Sequence, residues 1–540
     1  MAALFKKQDL AVVIAIVSFL FVPLITCITR GMEGIFCFLA GDSFYYLTIA
    51  QNFLQFKILS FDQSSPTNCF HPLWQLITIL MTFFADAKNT VLITLFISNL
   101  VISTSGILIF WFTVRKKKLH YPMFLAIFPC GLYFLIDTTY HNLWAYLNGL
   151  ETSLFLFFYI IFSCYIFLQN NLNEVNPSSR FYLSLLITLI IFTRLDSLFL
   201  LPSLVIFGVF LSYRDASVKW LKNVYFIVAF PSIALLLYLL FSYFYFGNPI
   251  PVSAALKSTF PALNRYNFKL IYSEISGANF SYFGRLWISQ LLVPLMFSII
   301  ILIYEIIHVR NREICGTSAI LLITAMFNIF IHLYNLLFVT IHHQGNWYYV
   351  ISVFFIYFSV FLIFERDLTT IRKNIKLAIN IILLVIIIYA TVQTSYRHLT
   401  GTEPYSLGFK ISKTIYDERM TLRECIKPED GKVYAIDDGL FAFGTDLPTI
   451  SGTGICLDCR GNTLRKKGDL RKYLKEIGIT HVFIPRYYLS SLGKEPNFKY
   501  ADLGEVSKAE IDSFVSHHRR WLGPLKVKKQ HRSYVLFEVE

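Results

Sequence analysis

Charge is scarce along most of this chain. Charged residues make up 15% of its 540 residues, and 43 of the 82 lie from Arg397 onward. The first 396 residues therefore hold too few charges to give a soluble body of that size a wetted surface. A second CxxC is also missing. Of nine cysteines only Cys456 and Cys459 are spaced as a pair, which excludes a four-cysteine zinc site, and Cys27, Cys130 and Cys164 lie inside apolar runs where a thiol behaves as a small hydrophobe. No internal repeat relates the earlier apolar runs to the later ones, which weighs against transporters built from two related halves. Finally, the apolar run at 10–29 follows Lys6 and Lys7 but has no small-residue cleavage site, so it reads as a retained first span and not as a removable signal.

What the sequence has instead is apolar length: 55% of it is hydrophobic. Runs long enough to cross a bilayer fall at about 10–30, 90–114, 120–138, 153–169, 197–213, 222–247, 286–308, 316–340, 347–364 and 375–394. An eleventh, 181–193, is short and ends in Thr193, Arg194, Leu195 and Asp196, the pattern of a broken helix lining a cavity. The fold class expected is a polytopic α-helical membrane protein of about 11 spans. With the N-terminus in the cytoplasm, the basic clusters at 115–118, Arg180, Arg214, Lys219 and Lys222, Arg310 and Arg312, and 366–376 all fall on the cytoplasmic side. The net charge of +14 is thereby absorbed by membrane orientation, and a nucleic-acid partner is not expected.

Two domains follow: 1–395, a transmembrane domain with an extracytoplasmic loop at 31–89, and 396–540, a soluble C-terminal α/β domain on the same outer side. Within the loop, 71–84 is apolar but too short to span, as expected of a segment lying along the outer leaflet. In the C-terminal domain, 433–436 reads as a strand, 469–477 as a helix stopped by Gly478, and 480–484 as the next strand. In an oxidising outer compartment Cys456 and Cys459 most simply pair with each other.

The outer segments 31–89, 138–152, 248–285 and 341–346 gather most of the polar chemistry of the membrane half. The first holds Asp42, Tyr45, Tyr46, Asn52, Asn68, His71 and Trp74, the mix of carboxylate, hydrogen-bonding groups and aromatic platforms that sugars need. Asp42 by itself also fits a helix N-cap. These residues, in the order Gly41-Asp42-Ser43-Phe44-Tyr45-Tyr46, then Ala50 and Asn52, then Thr67-Asn68-Cys69-Phe70-His71-Pro72-Leu73-Trp74, resemble the first outer loop of the GT-C glycosyltransferases. Bacterial members carry D-D-x-x-Y-Y-x-x-x-A-x-N followed by T-N-G-[YF]-H-P-L-W, and cell-envelope arabinofuranosyltransferases share a related layout. Gly149-Leu150-Glu151-Thr152, Thr193-Arg194-Leu195-Asp196, and Tyr245 to Pro251 with Lys257 match further pieces in order. The sequence departs from the pattern at Gly41, where many members have a first acid, and at Cys69, where they have glycine.

The resemblance implies a membrane glycosyltransferase, hexosyl or pentosyl, that carries a sugar with inversion from a polyprenyl-phosphate donor to a hydroxyl of a glycan, lipid or protein acceptor at the outer face. Asp42 is then the general base, assisted by Glu151, and Lys257 holds the donor phosphate, with Arg194, His342 and His343 as further phosphate ligands. Tyr45, Tyr46, Asn52, Asn68, His71 and Trp74 would contact substrate. No metal ligand set is assigned, and dependence on a divalent metal stays open. Structural alternatives stand beside these roles: Glu151 as a span-end acid, Lys257 as an interfacial lysine reaching for headgroups, Arg194 with Asp196 as an ion pair closing the broken span, and the two histidines as inert. A transporter or flippase of a lipid-linked glycan is the alternative function. The composition and the resemblance together favour a bacterial inner membrane.

Overall fold

The computed structural model describes residues 25–36, 38–116, 148–168, 176–275, 282–310, 314–340, 348–367, 382, 385, 413–436, 438–485, 489, 506–531 and 534–540. The expected span at 120–138, and most of those at 10–30 and 375–394, lie outside them.

Among the described residues the first part is built from helices. After Ser43–Phe56 and Pro72–Phe84 come the long helices Ala87–Lys116, Thr152–Leu168, Pro177–Thr193, Leu200–Arg214, Lys219–Phe246, Tyr282–Val309, Gly316–Phe338 and Val350–Asp367. Among the described residues, four stretches are long and apolar enough to cross a membrane: Leu195–Arg214, Lys219–Phe246, Leu291–Val309 and Gly316–Phe338. Their surfaces say what surrounds them. Phe230, Ile233, Leu236, Leu237, Leu240, Phe241 and Phe244 of the second stretch are all exposed, a continuous apolar face that water would not tolerate and lipid would. The Gly316–Phe338 helix is instead buried for most of its length and forms the centre of the bundle.

Helix ends place the functional segments. Pro177–Thr193 starts at Asn176, whose side chain accepts from the Ser179 N–H, and stops at Arg194, which takes an extended conformation (φ −152°, ψ 106°) before a single 3-10 turn, Leu195–Phe199, leads on. The chain is thus broken beside a buried charge. Pro72–Phe84 starts with proline in its first turn, which supplies no N–H that the helix start would leave unpaired. It turns Trp74, Gln75, Thr78 and Met81 inward and exposes Leu76, Leu80, Phe83 and Phe84. At 13 residues it is too short to span, and its exposed apolar stripe suits an interface.

The C-terminal region carries a five-stranded sheet in the order β2-β1-β3-β5-β4, with β1 Lys432–Ala435, β2 Thr449–Ser451, β3 Ile479–Pro485, β4 Leu525–His531 and β5 Tyr534–Val539. β1 runs parallel to β2 and β3, while β5 is antiparallel to β3 and β4. The helices Asp438–Thr445, Cys459–Lys467 and Leu470–Glu476 make the crossovers that parallel pairing requires.

This sheet sits on the first loop. Lys432 Nζ lies 3.1 Å from Asp62 Oδ2, and Asp62 also accepts from the backbone N–H groups of Ser64 and Ser65 at 3.0 and 2.7 Å. Burial pushes the Asp62 carboxyl upward, but Lys432 and the two N–H groups outweigh it, so it titrates below its ordinary 3.8. A carboxyl depressed in the fold contributes stability above its unfolded value and loses it as pH falls through the folded one. Lys432→Met is therefore expected to cost about 2 kcal/mol at pH 7. The gap between wild type and variant in thermal melts should shrink as pH falls through the lowered folded value of Asp62, which lies below 3.8, because Asp62 is then neutral in both. A gap independent of pH would show that Lys432 acts through packing alone.

Candidate active site

The Gly149-Leu150-Glu151 turn is shaped by close packing. Gly149 has φ +75°, and a Cβ there would lie 2.6 Å from Leu39 Cδ2, so only glycine fits. Asn148 holds the turn from both sides: its carbonyl accepts from the Ala40 N–H at 2.9 Å, and its side-chain oxygen accepts from the Leu150 N–H at 3.0 Å. The turn brings Glu151, itself buried, against the Ser43–Phe56 helix. There Tyr46 donates its hydroxyl proton to Glu151 Oε2 at 2.9 Å, and His71 Nε2 faces Glu151 Oε1 at 3.5 Å.

The proton on His71 can be placed. Its Nδ1 accepts from the backbone N–H of Leu195 at 3.2 Å, at the break after Arg194. Burial holds the imidazole below its ordinary 6.5, with Glu151 and Asp196 opposing, so the ring is neutral at pH 7 and its proton sits on Nε2, toward Glu151. His71 thus links the first loop, the second loop and the broken helix.

Asp42 occupies the N-cap position of the Ser43–Phe56 helix but makes no side-chain capping bond, and among the described residues its carboxylate has no hydrogen-bond partner. It is half-buried. That burial pushes its carboxyl above the ordinary 3.8; Lys257 pulls it back and Glu151 adds to the rise. The alternative of a simple cap therefore lacks its hydrogen bond. What remains is an unengaged carboxylate within the electrostatic reach of a cation and a second acid.

Lys257 ends the short helix Val252–Lys257, and its Nζ donates to the Tyr348 hydroxyl at 3.1 Å. Burial works against its charge, but Tyr348, Asp42 and Glu151 prevail, so it stays a cation at neutral pH. Arg194 is buried and grips Asp196, with Nε 3.0 Å from Oδ1 and Nη2 3.1 Å from Oδ2, while its guanidinium lies 4.6 Å from the Tyr348 ring centroid. The ion-pair alternative for Arg194 is thus present in the structure, and Tyr348 stands between the two cations. Tyr348 reads in the sequence as one aromatic of an interfacial group; only its place directly after the 341–346 outer segment could have singled it out. His342 and His343 lie outside the described residues, and among the described residues no cluster of three or more His, Cys, Asp or Glu side chains could hold a metal.

The remaining loop residues face the protein. Asn52 donates to the carbonyls of Ser60 and Phe61 at 3.0 and 3.1 Å, and Trp74 Nε1 donates to the Gly149 carbonyl at 3.0 Å. Asn68 donates to Ser242 and to the carbonyls of Asn248 and Ile250, and accepts from the Val252 N–H at 3.0 Å. The Tyr45 hydroxyl meets Thr453 Oγ1 at 3.1 Å. Asn52 ties the first loop to itself and Asn68, Trp74 and Tyr45 hold it to its neighbours, while Asp42, Tyr46, His71, Glu151, Lys257 and Arg194 are linked through direct contacts and shared charge.

The cysteine pairing expected from spacing is corrected. Cys456 is bonded to Cys69, and Cys459 is a free thiol. Sequence proximity favoured the CxxC pair, but docking of the C-terminal sheet brings the distant Cys69 to Cys456, and Cys459 begins the next helix with its thiol toward the Gly247 carbonyl.

No protein-family model and no curated protein matches the chain. Among solved structures it is similar to the crystal structure of ArnT from Cupriavidus metallidurans bound to undecaprenyl phosphate, with a TM-score of 0.46 and 11% identity over 97% of each chain. At that score and identity the likeness carries nothing about substrate or mechanism, which rest on this chain's own residues.

Proposed function

We propose that the chain is a membrane glycosyltransferase that takes a sugar from a polyprenyl-phosphate donor and transfers it, with inversion at the anomeric carbon, to an acceptor hydroxyl at the outer face of the membrane. The observation that carries this is Asp42: a half-buried carboxylate with no partner among the described residues, coupled electrostatically to Lys257 and Glu151. Inversion by direct displacement needs one base on the acceptor side and a cation on the leaving phosphate. Asp42 accepts the acceptor proton as its oxygen attacks, and Lys257, oriented by Tyr348, meets the charge that grows on the phosphate as the glycosidic bond breaks. Glu151, held by Tyr46 and His71, keeps Asp42 basic by repulsion. Arg194, tied to Asp196, adds positive field behind Tyr348.

Two observations support the outer-face location. A disulfide joins the first loop to the C-terminal sheet, and such bonds persist in oxidising compartments. The candidate residues Asp42, Tyr46 and His71 lie on that same first loop. We place residues 1–395 in the membrane domain and 396–540 in the soluble domain on this basis, with the membrane a bacterial inner membrane and the N-terminus cytoplasmic. The acceptor is left as a hydroxyl of a glycan, lipid or protein.

Donor binding is testable without turnover. In native mass spectrometry of the detergent-released full chain, polyprenyl phosphate is expected to add as a single retained mass that survives removal of bulk lipid. A chain that retains ordinary phospholipid but never polyprenyl phosphate would contradict the donor class.

A further inference from the structure

The Cys69–Cys456 bond joins segments 387 residues apart, and one of them runs through the candidate site. Residues 67–71 belong to no helix or strand; they connect the Ser43–Phe56 and Pro72–Phe84 helices as irregular chain. That stretch ends at His71, whose backbone N–H donates to the Tyr46 hydroxyl at 3.3 Å and whose ring faces Glu151. On the other side, Cys456 lies in the turn after β2, its N–H donating to Ser451 Oγ at 3.2 Å. Next to it the Leu457 carbonyl accepts from Thr67 Oγ1 at 3.1 Å. Cys69 and Cys456 pack in one buried cluster with Tyr45, Tyr46, Trp74 and Leu150. Among the described residues, 67–71 is tied to the C-terminal sheet region by this hydroxyl bond and the disulfide.

We propose that Cys69 and Cys456 are positioning residues: their disulfide fixes the irregular segment 67–71 on the C-terminal domain, so that His71 and Tyr46 hold Glu151 beside Asp42. Neither sulfur touches the reacting groups. The effect runs through geometry, since displacement of a supporting group by about 1 Å can lower turnover as much as 10²-fold. A covalent tie across 387 residues also confines the segment more than a single hydroxyl bond does. It explains a cysteine at a position where the related motif has glycine.

The kinetic part of the test rests on the glycosyltransferase reading, and the exchange part does not. The full chain in liposomes is reduced with a phosphine and then reoxidised, and a Cys69→Ser/Cys456→Ser double variant is prepared in parallel. Removing both thiols keeps Cys456 from pairing with Cys459. With reduction verified by the mass of alkylated peptides, backbone amides of 67–71 are expected to exchange about tenfold faster. kcat should fall about tenfold with the donor KM unchanged, and reoxidation should restore both exchange and rate. Cys459→Ser should match wild type. Unchanged exchange and kcat after verified reduction would overturn the proposal, as would a raised KM with kcat intact, which would make the bond part of donor docking. If the oxidised protein transfers no sugar at all, the glycosyltransferase reading fails, and amide exchange alone decides whether the bond positions the segment.

Discussion

Asp42→Asn is expected to lower kcat by about 10²–10⁴-fold while leaving the fold and its thermal stability unchanged. The magnitude is what a positioned general base contributes. The unchanged stability follows from a separate observation: Asp42 sits at an N-cap position without a capping hydrogen bond, so the amide removes no bond the fold relies on. The two roles open to this residue thus give opposite signatures. Asparagine caps a helix as well as aspartate, so the cap is tested by Asp42→Ala beside Asp42→Asn: a cap would lose about 1 kcal/mol of stability in the alanine variant and keep its turnover. Steady-state kinetics alongside a thermal melt of the same sample separates them. The wild-type pH profile carries a second mark. Burial lifts the Asp42 carboxyl above its ordinary 3.8. A base works only when deprotonated, so the rise of kcat/KM with pH should be centred above 3.8 and should disappear in the variant.

Lys257→Met should lower kcat/KM by about 10²–10³-fold, the loss typical of removing one preorganised donor from a developing anion. Methionine keeps the length of the side chain and removes its charge. The variant should also move the rising limb of the pH profile upward. Lys257 pulls the Asp42 carboxyl down against its burial; without the cation the base stays protonated to higher pH. An unchanged limb with a lowered rate would mean that Lys257 acts on the phosphate alone. An unchanged rate would mean that it is an interfacial lysine with no part in the reaction. Tyr348→Phe, which removes only the hydroxyl that accepts from Lys257, should have a smaller effect in the same direction.

Long apolar runs were readable because a period of apolar residues needs no tertiary information. The run to Phe338 and the interruption at Arg194 appear in the structure where the sequence puts them. Asp42 and Glu151 were readable for a related reason: an acid at the edge of apolar sequence is costly and so conspicuous. The side chains between them were harder to sort. Asn52, Asn68 and Trp74 are residue types that bind sugars and that also satisfy backbone carbonyls, and in the fold each meets the protein's own polar groups. Tyr348 was lost among aromatics that a membrane interface favours anyway. The pairing of Cys69 with Cys456 was out of reach, because nothing local marks a partner 387 residues away that arrives only when the C-terminal sheet docks.

The central claim is that a polyprenyl-phosphate sugar is consumed at the site built around Asp42. The measurement that meets it most directly is release of free polyprenyl phosphate from a polyprenyl-phosphate sugar by the purified full chain in liposomes, in the presence of an envelope extract as acceptor. Steady release with wild type, and release lowered at least about 10²-fold with Asp42→Asn, is the predicted result. Equal release by the two proteins, or movement of intact donor across the bilayer with no cleavage, would contradict it.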